Sequence, residues 1–205
     1  MVRDDWIELT RWQPLSVSQT VELMTGLDCA WWIAGGWAID LFLGRSTRHH
    51  ADTDVLVLRT DQVLVFHHFL KLGWELWQVD RPGHVTPLKP DEIVRASIHD
   101  LWCRPDRRSA WALQLMLAEA EGDRWIYRRD SEVTLLLSEV GLHTADGVPY
   151  LAPQVELLFK SKSPRPQDEA DFTLTTPQLP PAARRWLASA IGRTDPSHPW
   201  LPRLR

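Results

Sequence analysis

Apolar residues cluster from position 30 to 34 in a run short enough for a buried strand, which Gly35 and Gly36 interrupt. Residues 37–43 then repeat apolar side chains at helical spacing and stop at Gly44, so the pattern predicts a strand, a glycine turn and a helix in succession. Upstream, Ser16 and Ser18 are suited to cap a helix carrying Val21, Leu23, Met24 and Leu27. After a polar loop at 45–51, Val55, Leu56, Val57 and Leu58 form a nearly continuous apolar run, as in a central strand covered on both faces. Residues 62–72 read as a helix and 74–79 as a strand, 83–90 is turn-rich, and 96–103 and 111–118 read as two strands around a polar loop. Past Tyr150 the pattern becomes helical: Pro153 opens a helix with Val155, Leu157, Leu158 and Phe159, and 168–174 and 182–191 continue at helical spacing. Proline-rich stretches near Pro164 and Pro180 separate these helices, and the tail from 194 shows little regular pattern. The expectation is an α+β chain: residues 1–150 form a domain with a mixed sheet flanked by helices, and 151–205 form a helical C-terminal part.

A length of 205 residues suits one main core. The formal net charge of -4 provides no basic field for a polynucleotide backbone, so nucleic acid is not the expected partner. Cys29 and Cys103 have no metal-ligand spacing and fit buried thiols in a reducing compartment. The segment from Met1 to Asp5 lacks the features of a signal peptide, and no apolar run reaches membrane-spanning length. A cytoplasmic protein without membrane contact is therefore expected. Of twelve tryptophans, Trp6, Trp12, Trp102, Trp125 and Trp200 lie in polar stretches. Packing in a core or between the subunits of a homodimer is favoured for them over ligand stacking.

Candidate chemistry begins at the glycines. Backbone N–H groups of a Gly35-Gly36 turn at a helix start can meet phosphate oxygens, although such pairs also serve simple tight turns. Asp52 and Asp54 are two residues apart at the entry of a strand, so both side chains share one face and can hold a hard cation such as Mg²⁺. Acidic strand ends are otherwise simply solvated. Arg48, His49 and His50 add positive charge just before them. Adjacent His99 and Asp100 would face opposite ways on a strand and form no dyad. Within 125–130, an arginine paired structurally to Asp130 is favoured over one offered to substrate.

The stretch Gly35-Gly36-Trp37-Ala38-Ile39-Asp40, then Gly44-Arg45, then Thr47-Arg48-His49-His50-Ala51-Asp52-Thr53-Asp54 closely resembles the aminoglycoside and lincosamide nucleotidyltransferases of the DNA polymerase β superfamily. Tyr150 to Pro153, Leu158-Phe159-Lys160 and Asp168 to Phe172 look like the helical half of the same group. The resemblance implies transfer of a nucleotide from an NTP to a small-molecule hydroxyl, such as that of an aminoglycoside-like antibiotic, with release of pyrophosphate. It assigns Gly35 and Gly36 to the NTP phosphates, Asp52 and Asp54 to one or two Mg²⁺ ions, Arg45 and Arg48 to the triphosphate, and Lys160 or Lys162 to the same phosphates from across the cleft. Such enzymes carry a third carboxylate on a later strand. Here the matching strand offers Gln114, which cannot act as a base, and Asp100 or Glu119 are the available substitutes. The rival readings are a toxin-like nucleotidyltransferase acting on protein or RNA, and a degenerate member that binds nucleotide without turnover.

Overall fold

The computed structural model describes residues 9–205; Trp6 and the amino-terminal segment lie outside them. Ser16 caps helix α1 (Val17–Met24) reciprocally: its hydroxyl accepts from the Gln19 N–H while the Gln19 side chain accepts from the Ser16 N–H. Strand β1 (Trp31–Ala34) runs directly into helix α2 (Gly35–Leu43), because Gly35 takes φ +63° and turns the chain without a connecting loop. Gly44, also left-handed at φ +66°, ends α2.

Strand β2 (Asp54–Leu58) lies at the centre of the sheet, with Val55, Leu56 and Val57 at most 1% exposed, as its unbroken apolar run requires. After helix α3 (Gln62–Lys71) come β3 (Glu75–Arg81), β4 (His84–Pro87), β5 (Asp100–Arg104) and β6 (Leu113–Glu121). Short elements follow: β7 (Arg124–Ile126), β8 (Thr134–Leu136), α4 (Leu137–Val140), β9 (Gly141–His143) and β10 (Pro149–Leu151). The chain closes with α5 (Pro153–Ser161), α6 (Pro166–Thr175) and α7 (Pro181–Thr194). The ten strands form a mixed sheet ordered β4-β3-β5-β6-β2-β1-β10-β9, with β7 and β8 extending from β6. β2 with β6 and β1 with β10 are the parallel pairs.

This is the expected α+β architecture with a helical end. Two expectations are corrected. The turn-rich stretch at 83–90 contains β4, because Pro82-Gly83 closes a hairpin that pairs Arg81 with His84. The strand expected at 96–103 begins at Asp100 rather than at 96, with a turn at 96–97 before it.

Trp125 and Trp200 pack in the core as expected, while Trp12 and Trp102 are half-buried. Trp111, Trp125 and Trp200 are nearly inaccessible, and Trp12, Trp102 and Trp111 meet edge to face over one side of the sheet. The tail is not loose: Trp200 stacks on Phe172 at 4.1 Å and donates its indole N–H to Glu169, while His198 meets the Ser161 carbonyl at 2.8 Å. Both thiols are free and burial raises both, Cys29 to about 11. No helix among the described residues is long and apolar enough to cross a membrane.

Phe172→Ala should lower the unfolding free energy by about 3–5 kcal/mol, because it empties the fully buried site that joins α6 to the tail. Urea titration checks the value, and a loss below about 1 kcal/mol would show that the tail does not depend on the stack.

Candidate active site

The glycine turn, the loop after α2 and the start of β2 form one braced unit. Asp40, buried in α2, accepts from the Thr47 backbone N–H and hydroxyl through one oxygen and meets His50 at 2.7 Å through the other. His50 packs on Trp37 with ring centroids 4.3 Å apart. Gly36 lies beneath this loop, where a side chain would collide with Arg48 and His50; at Gly35, one would collide with the Asp54 carboxylate. The two glycines are thus required by close approach and, at Gly35, by positive φ as well. The brace delivers the chain to Asp52, Thr53 and Asp54. Thr53 turns inward, donating its hydroxyl to the Leu15 carbonyl at 2.6 Å, while Asp52 and Asp54 both line an open cleft.

This cleft has a volume of about 580 Å³ and lies between the sheet and helices α5 and α6. Gly35, Gly36, Arg48, Asp100, Gln114, Lys160 and Lys162 also line it. Arg45 does not: it is exposed outside the cleft, with its backbone N–H bound to the Asp40 carbonyl. Glu119 does not either, because it pairs with Arg59 elsewhere. His99 lies near that pair while Asp100 faces the cleft, so the two face apart as expected. A larger hollow of about 800 Å³, bounded by Arg11–Leu15 and the loop at 105–110, contains neither the glycine turn nor the aspartate pair.

Several assignments change. The Gly35 N–H does not point at open space, since it donates to buried Glu156 at 2.9 Å. Lys160 is not a solvated charge reaching across the cleft: its ammonium is buried and lies 3.1 Å from Asp168, 3.2 Å from Asp171 and 3.6 Å from Glu156. Arg48 is committed to Asp171 at 3.1 Å. Asp130 pairs with Arg193, so Arg128 and Arg129 are released to line the cleft, Arg129 resting on the Tyr127 ring. Sequence reasoning passed over Glu156, Arg165 and the Asp171 partnership, although the i, i+4 spacing of Glu156 and Lys160 on a helix was a usable signal.

The electrostatics follow from burial and these pairings. Burial pushes Asp54 well above the usual carboxylate range, and Asp52 and Glu156 add to the effect. Burial also raises Asp100, against the opposing pull of Arg128. Burial raises Glu156 despite Lys160. At Asp168 burial is outweighed by hydrogen bonds from Arg165 and by Lys160, which hold the carboxyl at about 2. Burial would lower Lys160, but Glu156, Asp171 and Asp168 more than offset it.

Neither Asp52 nor Asp54 forms an ion pair among the described residues, and no group of three or more His, Cys, Asp or Glu side chains there is arranged to hold a metal. Two carboxylates with hard oxygen donors still suit Mg²⁺, which keeps several waters and completes its shell with substrate phosphates.

The profile of the aminoglycoside-2''-adenylyltransferase family matches residues 16–173, a span that includes every cleft residue just described. The chain belongs to this family. It is a nucleotidyltransferase, an enzyme that moves a nucleotide onto a hydroxyl group. Solved structures share the fold. The crystal structure of ANT(2'')-Ia in complex with adenylyl-2''-tobramycin aligns over 87% of this chain and 98% of that one, with 15% identity and a TM-score of 0.56. The lincomycin-bound lincosamide adenylyltransferase LnuA aligns over 79% and 97%, with 15% identity and a TM-score of 0.53. No curated protein sequence matches.

Two stability effects of opposite sign should follow. Lys160→Met strands buried carboxylates and should cost about 3–5 kcal/mol, measurable by chemical denaturation. Asp54→Asn should raise the melting temperature of metal-free protein at pH 7. Because the folded-state pKa of Asp54 is raised, its ionised form opposes folding: the penalty is absent below the unfolded value near about 3.9, grows as pH rises toward the folded value and is constant above it. The advantage of the variant should therefore vanish near pH 4, and a pH-independent difference in melting temperature would contradict this origin.

Proposed function

We propose that this family member transfers a nucleoside monophosphate from a Mg²⁺-bound NTP to a hydroxyl of a small aminoglycoside-like molecule and releases pyrophosphate. The supporting observation is the Asp52–Asp54 pair, which lines the cleft beside the braced glycine unit and forms no ion pair among the described residues. Bound there, Mg²⁺ would offset charge on the triphosphate and the departing pyrophosphate. Arg128, Arg129, Lys162 and Arg165 are the lining cations suited to phosphate oxygens. Residues 1–150 carry the aspartates and 151–205 form the opposite wall in this reading, with the acceptor between them. The cytoplasm supplies the NTP.

A binder without turnover is the second reading. It is favoured by one observation: Gln114, a neutral side chain, stands opposite Asp54 in the register of β2 and β6.

Calorimetric titration of ATP, GTP, CTP and UTP, with Mg²⁺ and with EDTA, tests the proposal. Binding should require Mg²⁺ and be lost in Asp54→Asn, and wild type with tobramycin or a related acceptor should release pyrophosphate. Nucleotide handling unchanged in Asp54→Asn would refute the metal assignment. Mg²⁺-dependent binding without release from any acceptor would favour the binder.

A further inference from the structure

Joining an acceptor oxygen to phosphorus requires that the hydroxyl lose its proton, so the proposed reaction needs a base in the cleft. Five carboxylates line it: Asp52, Asp54, Asp100, Glu156 and Asp168. Glu156 is occupied by the Gly35 N–H and Lys160, and Asp168 by Arg165 and Lys160. Asp52 and Asp54 are the pair assigned to the cation.

Asp100 is neither ion-paired, as Glu156 and Asp168 are, nor part of the pair assigned to the cation. Among the described residues it forms no ion pair, and its side-chain hydrogen bond is a long one, 3.4 Å from Gln114 Nε2. Strand register explains why it faces the same space as Asp54. Gln114 of β6 is opposite Asp54 of β2, and Met116, two residues farther along the same face of β6, is opposite Asp100 of β5. Asp54, Gln114 and Asp100 thus share one face across three neighbouring strands.

The orientation of Gln114 is also determined. Trp102 Nε1 lies 3.0 Å from Gln114 Oε1, and an indole nitrogen can only donate. The amide oxygen is therefore held toward Trp102 and the amide NH₂ toward Asp100. A neutral donor steadies one carboxylate oxygen while leaving the group's basicity largely intact, which a salt bridge would not do.

We propose that Asp100 is the general base for the acceptor hydroxyl and that Gln114 is its positioning residue, an assignment that rests on the nucleotidyl transfer proposed above. The acceptor O–H proton passes to the Asp100 carboxylate as the acceptor oxygen bonds to the α-phosphorus. The bond from the α-phosphorus to the oxygen bridging to the β-phosphate breaks, and pyrophosphate departs with that electron pair. Proton loss from Asp100 to solvent then restores the carboxylate.

The test combines pyrophosphate release, with Mg²⁺ and the tightest-binding NTP and with tobramycin or lincomycin as acceptor, and calorimetric NTP affinity. Asp100→Asn should lower kcat by about 100-fold or more while NTP affinity stays at the wild-type value. Asp100→Ser should show the same split, so the result does not depend on one variant folding. Gln114→Ala should lower kcat less, and should slow Asp100→Asn no further, because a positioning residue has no effect once its target is gone. Glu119→Gln, outside the cleft, should leave both quantities unchanged. Turnover retained in Asp100→Asn, or lost only in step with NTP binding, overturns the base assignment; an additive double variant overturns the role of Gln114. Wild type that binds Mg²⁺ and NTP but releases no pyrophosphate with either acceptor overturns the transfer reading, and with it the assignment of a base.

Discussion

A single buried ammonium ties the molecule together. Lys160 on α5 lies within ion-pair distance of Glu156 on its own helix and of Asp168 and Asp171 on α6. Each of those carboxylates has a further partner. Glu156 accepts the Gly35 N–H at the β1–α2 junction, Asp171 holds Arg48 from the loop before β2, and Asp168 anchors the first turn of α6 through Arg165. The helical part is consequently joined to the glycine turn by charge as well as by packing. Three acids around one base leave an excess of negative charge, and Arg48 and Arg165 supply the balance. Such networks tolerate no partial dismantling, because each partner removed leaves another charge buried alone.

Much of the fold was readable from residue patterns for simple reasons. The unbroken apolar run of β2 marked a doubly covered strand, Ser16 marked a cap, and Pro153 marked the start of α5. Strands β8 to β10 escaped because three residues are too few to display alternation. At the site, local spacing revealed the aspartate pair, which depends only on a neighbouring strand position. The Lys160 cluster, the release of Arg128 by the Asp130–Arg193 pair and the exclusion of Arg45 and Glu119 depend on contacts between distant segments. Net charge and motif order carry no information about those contacts. Gln114 is an intermediate case: its strand was correctly recognised, but its partner Asp100 becomes apparent only when β5 and β6 are set in register.

The site also shows why a binding cleft is an uncomfortable part of a folded chain. Asp54 sits against Gly35, near Asp52 and Glu156, in an environment that resists its ionisation. Burial of an ionisable carboxylate opposes folding, whereas the same burial at Trp111 or Phe172 stabilises the fold. The fold offsets this local cost with a large apolar core, and the Asp40 contacts to Thr47 and His50 tie the acidic loop to α2.

Gly36 carries one more implication, for how this sequence can change over generations. Its α-carbon faces Arg48 and His50 with no space for even a methyl group. Arg48 is bound to Asp171 and His50 to Asp40, so neither neighbour can move aside without breaking a second contact. Point substitution at this position is therefore a dead end, and a viable alternative would need several coordinated changes in separate parts of the gene. Drift should be slow through this unit and freer at exposed sites such as Arg45, whatever acceptor a given descendant comes to modify.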